Sequence, residues 1–298
     1  MRRAACLFAG VAFVAGCTEK TDAVVQCVAP LETGDPEGHP DPFGAKAAGQ
    51  ARAGRVRDAS LIQPAHGRQP IEAVDFVLAN DKIAVVIEDS GLSDGYGRFG
   101  GEILAIDAIG DDGRPLGVSY FNETLMGIGM TMPDVSSVTV MRDGSDGGEA
   151  VVRAVGRTKV IPFVDGFLTG LFPSEFALDV AYDYTLAPGA EKLDIHVSVV
   201  NPDAAAQDLA GLELFGFFQG SHMDLVTSEA GFNSGAPLGS TAWVGYVTDP
   251  WSFAWRSPAG PLGFGVTESG FHLFFGPGYT VDAVLPGAKP PGYSYEPR

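Results

Sequence analysis

Basic residues are scarce in this chain, which carries 19 Lys and Arg against 37 Asp and Glu and a net charge of -18. Nucleic-acid partners are excluded on that ground, because phosphate backbones are held by basic patches that such a sequence cannot supply. Cysteine is scarcer still: Cys6, Cys17 and Cys27 are all there is. No disulfide framework follows from them, so stability has to come from a hydrophobic core. Beyond residue 16 no apolar stretch approaches membrane-spanning length, and no run of ten or more residues shows a helical period. Phosphate-loop and metal-ligand spacings are missing too, and no cofactor or metal is expected. What is plentiful is 40 Gly and 21 Pro beside 45% hydrophobic residues, a composition of many short strands and tight turns.

The amino terminus has what the rest lacks. Met1-Arg2-Arg3 is a short positive segment, and Ala4 to Val14 is an apolar run of signal-peptide length, too short to span a bilayer as a stable anchor. The run ends in Val14-Ala15-Gly16-Cys17, an aliphatic residue, two small ones and a thiol. This resembles the lipobox of bacterial lipoproteins. The resemblance implies cleavage before Cys17, a diacylglycerol on its sulfur and an acyl group on its new amine, and several chains anchor firmly where one binds marginally. An ordinary cleaved signal with a chance cysteine is the plain alternative. The expected address is the cell envelope, with the membrane as partner through the lipid. Thr18 stands where enteric lipoproteins kept at the inner membrane have Asp, which points to the outer membrane. Cys27 is left as a free thiol without an assigned role.

Three parts are expected: a signal peptide over 1–16, a flexible acidic Pro/Gly-rich tether over 17–58, and a β-sandwich domain over 59–298. The tether has too little apolar surface to fold by itself, and His39 within it has no partner at ligand spacing. From Ile71 onward short apolar or alternating runs follow one another: 71–78, 82–88, 103–109, 116–121, 135–141, 150–155 and 159–164. Further runs lie at 212–218, 241–247, 252–256, 262–267, 271–275 and 279–285. Asn80-Asp81, Gly110 to Gly113 and Asp143 to Gly148 punctuate them as turns.

The clearest pair is 176–186 with 193–200, where Val180, Tyr182, Tyr184 and Leu186 alternate with polar or small residues against Leu193, Ile195, Val197 and Val199. A tip at Pro188-Gly189 pairs Tyr184 with Leu193, Tyr182 with Ile195 and Val180 with Val197. Asp183 and His196 then face outward, and truncating Asp183 is expected to be nearly silent. With this many strands the packed solution is a large two-sheet antiparallel sandwich.

Asp75 to Glu88, Gly100-Gly101 to Asp107, and Tyr182 through Pro188-Gly189 to Asn201 together resemble the N-terminal β region of large surface lipoproteins of myxobacterial type. The likeness runs from about Asp75 to the end of the chain. In longer relatives that region precedes immunoglobulin-like repeats and a metal-dependent hydrolase domain, and no His and Asp cluster for such a domain is present here. The Tyr182 to Asn201 hairpin also resembles those of the supersandwich in galactose mutarotases and carbohydrate-active enzymes. That resemblance implies a mutarotase-like all-β fold.

Four places are candidates for function. Asp89, Asp94 and Glu102 frame a glycine-dense loop that could be read as a Ca²⁺ site, but its spacing is not that of an EF-hand and a plain turn is the better reading. Glu213 and His222 could pair as general acid and base, or His222 could be a loop histidine without a role. Trp243, Tyr246, Trp251 and Trp255 put all three tryptophans within 13 residues. Such rings either stack on a sugar or fill the core, and tryptophan more often does the latter. Cys17 is the lipidation site. The leading functional reading is a non-enzymatic envelope module for recognition or structure, with carbohydrate or an envelope protein as partner. A carbohydrate-acting enzyme is the alternative, and the third is an N-terminal fragment of a larger lipoprotein, since Pro286 to Arg298 reads like a connection.

Overall fold

A computed structural model describes residues 30–63, 69–93, 95, 97–121, 124–128, 131–162, 177–202, 213–219, 223–229, 231, 238–248, 251–257, 260–266, 271–278 and 293–297. The signal segment, Cys17 and Cys27 lie outside the described residues, as do His222, Asp94 and the expected strand at 279–285.

The described part is almost wholly β. Its strands are β1 (Ala51–Arg55), β2 (Phe76–Asn80), β3 (Ile83–Ile87), β4 (Ile103–Ala108), β5 (Thr124–Ile128) and β6 (Thr131–Asp143). Then come β7 (Ala150–Val160), β8 (Asp179–Leu186), β9 (Leu193–Val200), β10 (Glu213–Gln219), β11 (Asp224–Thr227) and β12 (Leu238–Thr241). The last are β13 (Val244–Val247), β14 (Ser252–Arg256), β15 (Leu262–Val266), β16 (Phe271–Gly278) and β17 (Tyr293–Pro297). Ladder pairings between them are antiparallel, β1 to β5 in sequence order. β5 continues into β6, β7, β8, β9, β17, β14, β13 and β11 on one side and into β10, β16, β15 and β12 on the other. β2 packs across the core on β7 and β8, so the strands form the expected antiparallel sandwich. No helix among the described residues is long and apolar enough to cross a membrane.

The core explains the sequence pattern strand by strand. On β8 and β9, Val180, Tyr182 and Tyr184 face Leu193, Ile195, Val197 and Val199 inward, while Asp183, Asp194 and His196 stay outside. On β2 and β3 every residue is buried, because Phe76, Leu78, Val85 and Ile87 enter the main core while Val77, Ala79, Ala84 and Val86 enter a second one on the opposite face. Val56, Ile62 and Ile71 cover that second face. Burial on both faces is why these strands read as continuous apolar runs rather than alternating ones.

Three expectations are corrected. The register of β8 with β9 is Tyr184 to Ile195, Tyr182 to Val197 and Val180 to Val199, two residues from the pairing expected. Gly189, at φ 68°, closes a turn in which the Ala190 amide donates to the Ala187 carbonyl at 3.2 Å, but Glu191 and Lys192 then lengthen the loop. A shift of two leaves the faces unchanged, so the alternation could not detect it. Leu116 to Phe121 is not a strand: the Asp107 carboxylate accepts the Gly117 amide at 2.6 Å and holds the segment as a loop.

The third correction concerns the tether, which from Pro30 is folded rather than disordered. β1 pairs with β2, and its other edge is met by Gly38 opposite Gly54, by the His39 amide on the Ala53 carbonyl at 2.8 Å and by the Arg55 amide on the Glu37 carbonyl at 3.0 Å. Asp35 and Val140 of β6 exchange two amide bonds of 2.8 Å. This strap is tied down by backbone bonds, with Phe43 and Ala45 as its few apolar anchors, so its composition leaves little trace of the fold.

Candidate functional site

Four turns converge at one end of the sandwich. Asn80 and Asp81 connect β2 to β3, Gly110 to Gly113 follows β4, Pro188 to Glu191 connects β8 to β9, and Thr248 and Trp251, bonded to each other, stand before β14. Asn80 ties the first to the third. Its side-chain oxygen accepts the Lys82 and Ile83 amides at 2.8 and 2.9 Å, and its nitrogen donates to the Ala187 and Ala190 carbonyls at 2.9 and 2.8 Å. In the second turn the Gly113 amide donates to Gly110 at 2.8 Å, and Lys46 reaches the Asp112 carbonyl at 3.4 Å. In the fourth, the Thr248 amide and hydroxyl both donate to the Trp251 carbonyl, at 2.8 and 2.6 Å.

Between these turns lies an open cleft of about 540 Å³, lined by Lys46, Asp81, Lys82, Glu191, Trp251 and the acidic turn with Asp111 and Asp112. Two polar atoms of residues that line it, Asp81 Oδ1 and Trp251 Nε1, are buried beneath the surface without a hydrogen-bond partner. The other Asp81 oxygen lies 3.5 Å from the Lys82 ammonium. Trp251 is 7% exposed, its ring tilted against Phe253 with centroids 6.1 Å apart. An open concave site ringed by charges of both signs makes a place for a polar guest.

The residues singled out by sequence are placed as follows. Tyr246 and Trp255 are fully buried, and Tyr246 stacks on Phe253 with centroids 5.0 Å apart. These rings fill the core between β13 and β14 and do not form a flat exposed platform; only Trp243 keeps partial exposure. Trp251 is the one member of the cluster that lines the cleft. Glu213 begins β10 opposite Gly278 of β16, and its intended partner His222 is outside the described residues. Asp89 is held by Arg55 at 2.7 Å and Glu102 is buried, and among the described residues no group of three metal-ligating side chains could hold an ion. His196 is exposed on the outer face, opposite Asp183. Sequence reasoning missed Lys46, Asp81, Lys82 and Glu191, since the cleft joins turns far apart along the chain and none has a local motif.

Two further carboxyls are buried elsewhere. Burial pushes Asp75 and Asp107 above the usual carboxylate range, against the backbone amides that each accepts. Both hold loops: Asp75 takes the Glu72 and Asp89 amides at 2.8 and 3.1 Å, and Asp107 takes those of Ala108 and Gly117 at 2.9 and 2.6 Å.

No protein-family model matches the chain, and no curated protein is similar to it in sequence. Among solved structures it is similar to an alpha-mannosidase from Enterococcus faecalis V583, at 11% identity and a TM-score of 0.43 over 80% of this chain and 30% of that one. A glycosyl hydrolase family 38 protein from Enterococcus faecalis is similar at 12% identity and 0.43, over 80% of this chain and 31% of that one. A protein assigned as an aldose 1-epimerase from Escherichia coli K12 is similar at 11% and 0.38, over 74% of this chain and 98% of that one. The chain thus spans less than a third of the two hydrolases. At such identities and TM-scores nothing of those proteins carries over to this chain.

Proposed function

We propose that this protein is a β-sandwich recognition module of the bacterial envelope, anchored through a lipidated Cys17, with the loop-end cleft as its binding site. The observation that carries the recognition half is the concave cleft lined by charges of both signs where several turns meet at the end of the sandwich. Loops clustered at the end of a packed sandwich are where such folds place binding groups, because the sheets hold the turns in position while their side chains vary. The anchoring half rests on Val14 to Cys17 at the close of the apolar run.

The test has two arms. Metabolic palmitate labelling and detergent-phase partitioning should mark wild type and not Cys17→Ala; equal partitioning of both overturns the anchor. Detergent-solubilised wild type should be retained by an envelope fraction of its native host and Asp81→Ala should not. Equal retention overturns the cleft as the recognition site.

A further inference from the structure

We infer that the loop-end cleft takes a basic α-amino acid, a small zwitterion of net positive charge. This rests on the recognition reading above and adds the chemistry of the guest.

The arrangement of charge around the cleft decides it. Two ammoniums line it, and each stands beside an acceptor: Lys82 lies 3.5 Å from Asp81 Oδ2, and Lys46 runs against Gly113 with its Nζ 3.4 Å from the Asp112 carbonyl. Four carboxylates, Asp81, Asp111, Asp112 and Glu191, are supplied by three different turns. Asp111 and Glu191 are exposed, and among the described residues neither has an ion-pair partner. The lining thus presents positive and negative groups side by side, with the negative ones in surplus.

Simpler guests answer only part of that lining. A metal ion needs several acidic or histidine side chains drawn round one point, and among the described residues no three are so placed. An anion meets the surplus of carboxylates on a chain of net charge -18, a repulsive field on approach. A neutral or apolar guest strips water from charged groups and returns no opposite charge, and a desolvated charge is costly unless paired. A plain cation suits the carboxylates but covers the two ammoniums without giving them a partner. An α-amino acid carries an ammonium and a carboxylate on one carbon atom, so it matches an acid and a lysine that stand side by side. The second cation at the end of a basic side chain then meets the surplus acid on another turn. Its contacts are charge-assisted at both ends, the stronger class of hydrogen bond. The volume of about 540 Å³ lies within the roughly 300–1,000 Å³ of small-molecule sites.

The experiment is calorimetric titration of the full chain in detergent. The probes are L-lysine and L-arginine, and the comparators are cadaverine, which is lysine without its carboxylate, L-glutamate and glucose. At least one basic amino acid should bind, more tightly than any comparator. Replacing Lys46 and Lys82 together by Gln should weaken that binding roughly three- to tenfold and should not weaken cadaverine, because only the amino acid has a carboxylate to lose its partner. Asp111→Asn combined with Glu191→Gln should weaken both. All four side chains are exposed, so the unfolding temperature of both double variants should stay near wild type. No binding of either amino acid at about 10 mM, far weaker than specific recognition requires, overturns the ligand class. Asp81-dependent retention by the envelope fraction then leaves the cleft as a recognition site, and loss of that retention as well overturns both. Cadaverine bound as tightly as lysine, or glutamate or glucose bound more tightly than either amino acid, also overturns the class. Amino-acid binding unchanged in both double variants overturns the cleft assignment.

Discussion

Arg153 on β7 and Asp183 on β8 face each other across the outer surface of the sandwich and are joined by two parallel hydrogen bonds, 2.6 Å from Nε to Oδ1 and 2.7 Å from Nη2 to Oδ2. The side chains are only 19% and 16% exposed. Arg153 also donates to the Glu32 carbonyl at 3.2 Å, so the pair helps fix the strap. By strand alternation alone Asp183 is a dispensable surface acid; the bidentate geometry makes it a partner. Asp183→Ala should therefore cost on the order of 1 kcal/mol, above the median of exposed ion pairs. A urea-denaturation cycle with Arg153→Ala should show most of that as coupling, and two independent, near-zero effects would contradict it.

Asn80 makes a sharper demand, since its amide is 1% exposed and uses both donor hydrogens and two acceptor sites. Asn80→Asp keeps the shape but turns a carboxylate toward the Ala187 and Ala190 carbonyls. We expect a loss on the order of 3 kcal/mol. Calorimetry should record this as a drop of several degrees, at about 2 to 4 °C per kcal/mol for a domain of this size. A change under one degree would show that the two turns are not tied through this side chain.

The inward tyrosines separate burial from hydrogen bonding. Tyr184 donates its hydroxyl to the Gly101 carbonyl at 2.7 Å, and burial pushes the phenol well above its ordinary value, so it remains a donor. Tyr184→Phe should cost about 1 to 2 kcal/mol by orphaning that carbonyl. Tyr182→Ala opens a cavity opposite Val197 and should cost about 3 to 5 kcal/mol. A silent Tyr182→Ala would mean that the facing of the hairpin is wrong.

Asp75 and Asp107 predict a pH dependence with a definite sign. Each binds its proton more tightly in the folded chain than in the unfolded one, because burial penalises the charged form. Their contribution is therefore fully favourable below the unfolded value of about 4 and is lost as pH rises through the higher folded value. Asp107→Asn removes one such group while keeping an oxygen to accept a backbone amide. Between about pH 4 and neutrality the stability of wild type should fall relative to this variant. A wild type that gains on the variant over the same interval would reverse the sign and refute the assignment.

Much of the architecture is legible in the sequence because it rests on side-chain periodicity. The alternation from Val180 to Leu186 gives the buried face of β8, and the unbroken apolar residues of Phe76 to Ala79 and Ile83 to Ile87 mark strands covered on both sides. What periodicity cannot carry stays hidden. A register shift by two preserves every face, and a strap held through the amides of Asp35, His39 and Arg55 needs few apolar residues beyond Phe43 and Ala45. At Gly156, where a Cβ would lie 2.5 Å from the Asp134 carbonyl, the ladder is offset between Val135 and Ser137 in a way that no composition announces. Trp251 and Trp255 have the same residue type and neighbourhood in sequence, yet one lines the cleft and the other is sealed in the core. The cleft itself is made by Asn80 joining turns a hundred residues apart, 107 and 110 positions from Ala187 and Ala190.

The strap also governs how the molecule behaves in a crowd of its own copies. A protein trimmed to start at residue 59, where composition places the boundary, would lose β1 and lay bare the whole hydrogen-bonding edge of β2, a strand whose residues are all buried in the native fold. An unpaired apolar edge recruits strands from other chains. Such a trimmed protein should come off a sizing column as oligomers or precipitate, whereas one beginning at Pro30 should elute as a single species. The Pro/Gly-rich stretch that looks expendable is thus what keeps the sandwich from polymerising edge to edge.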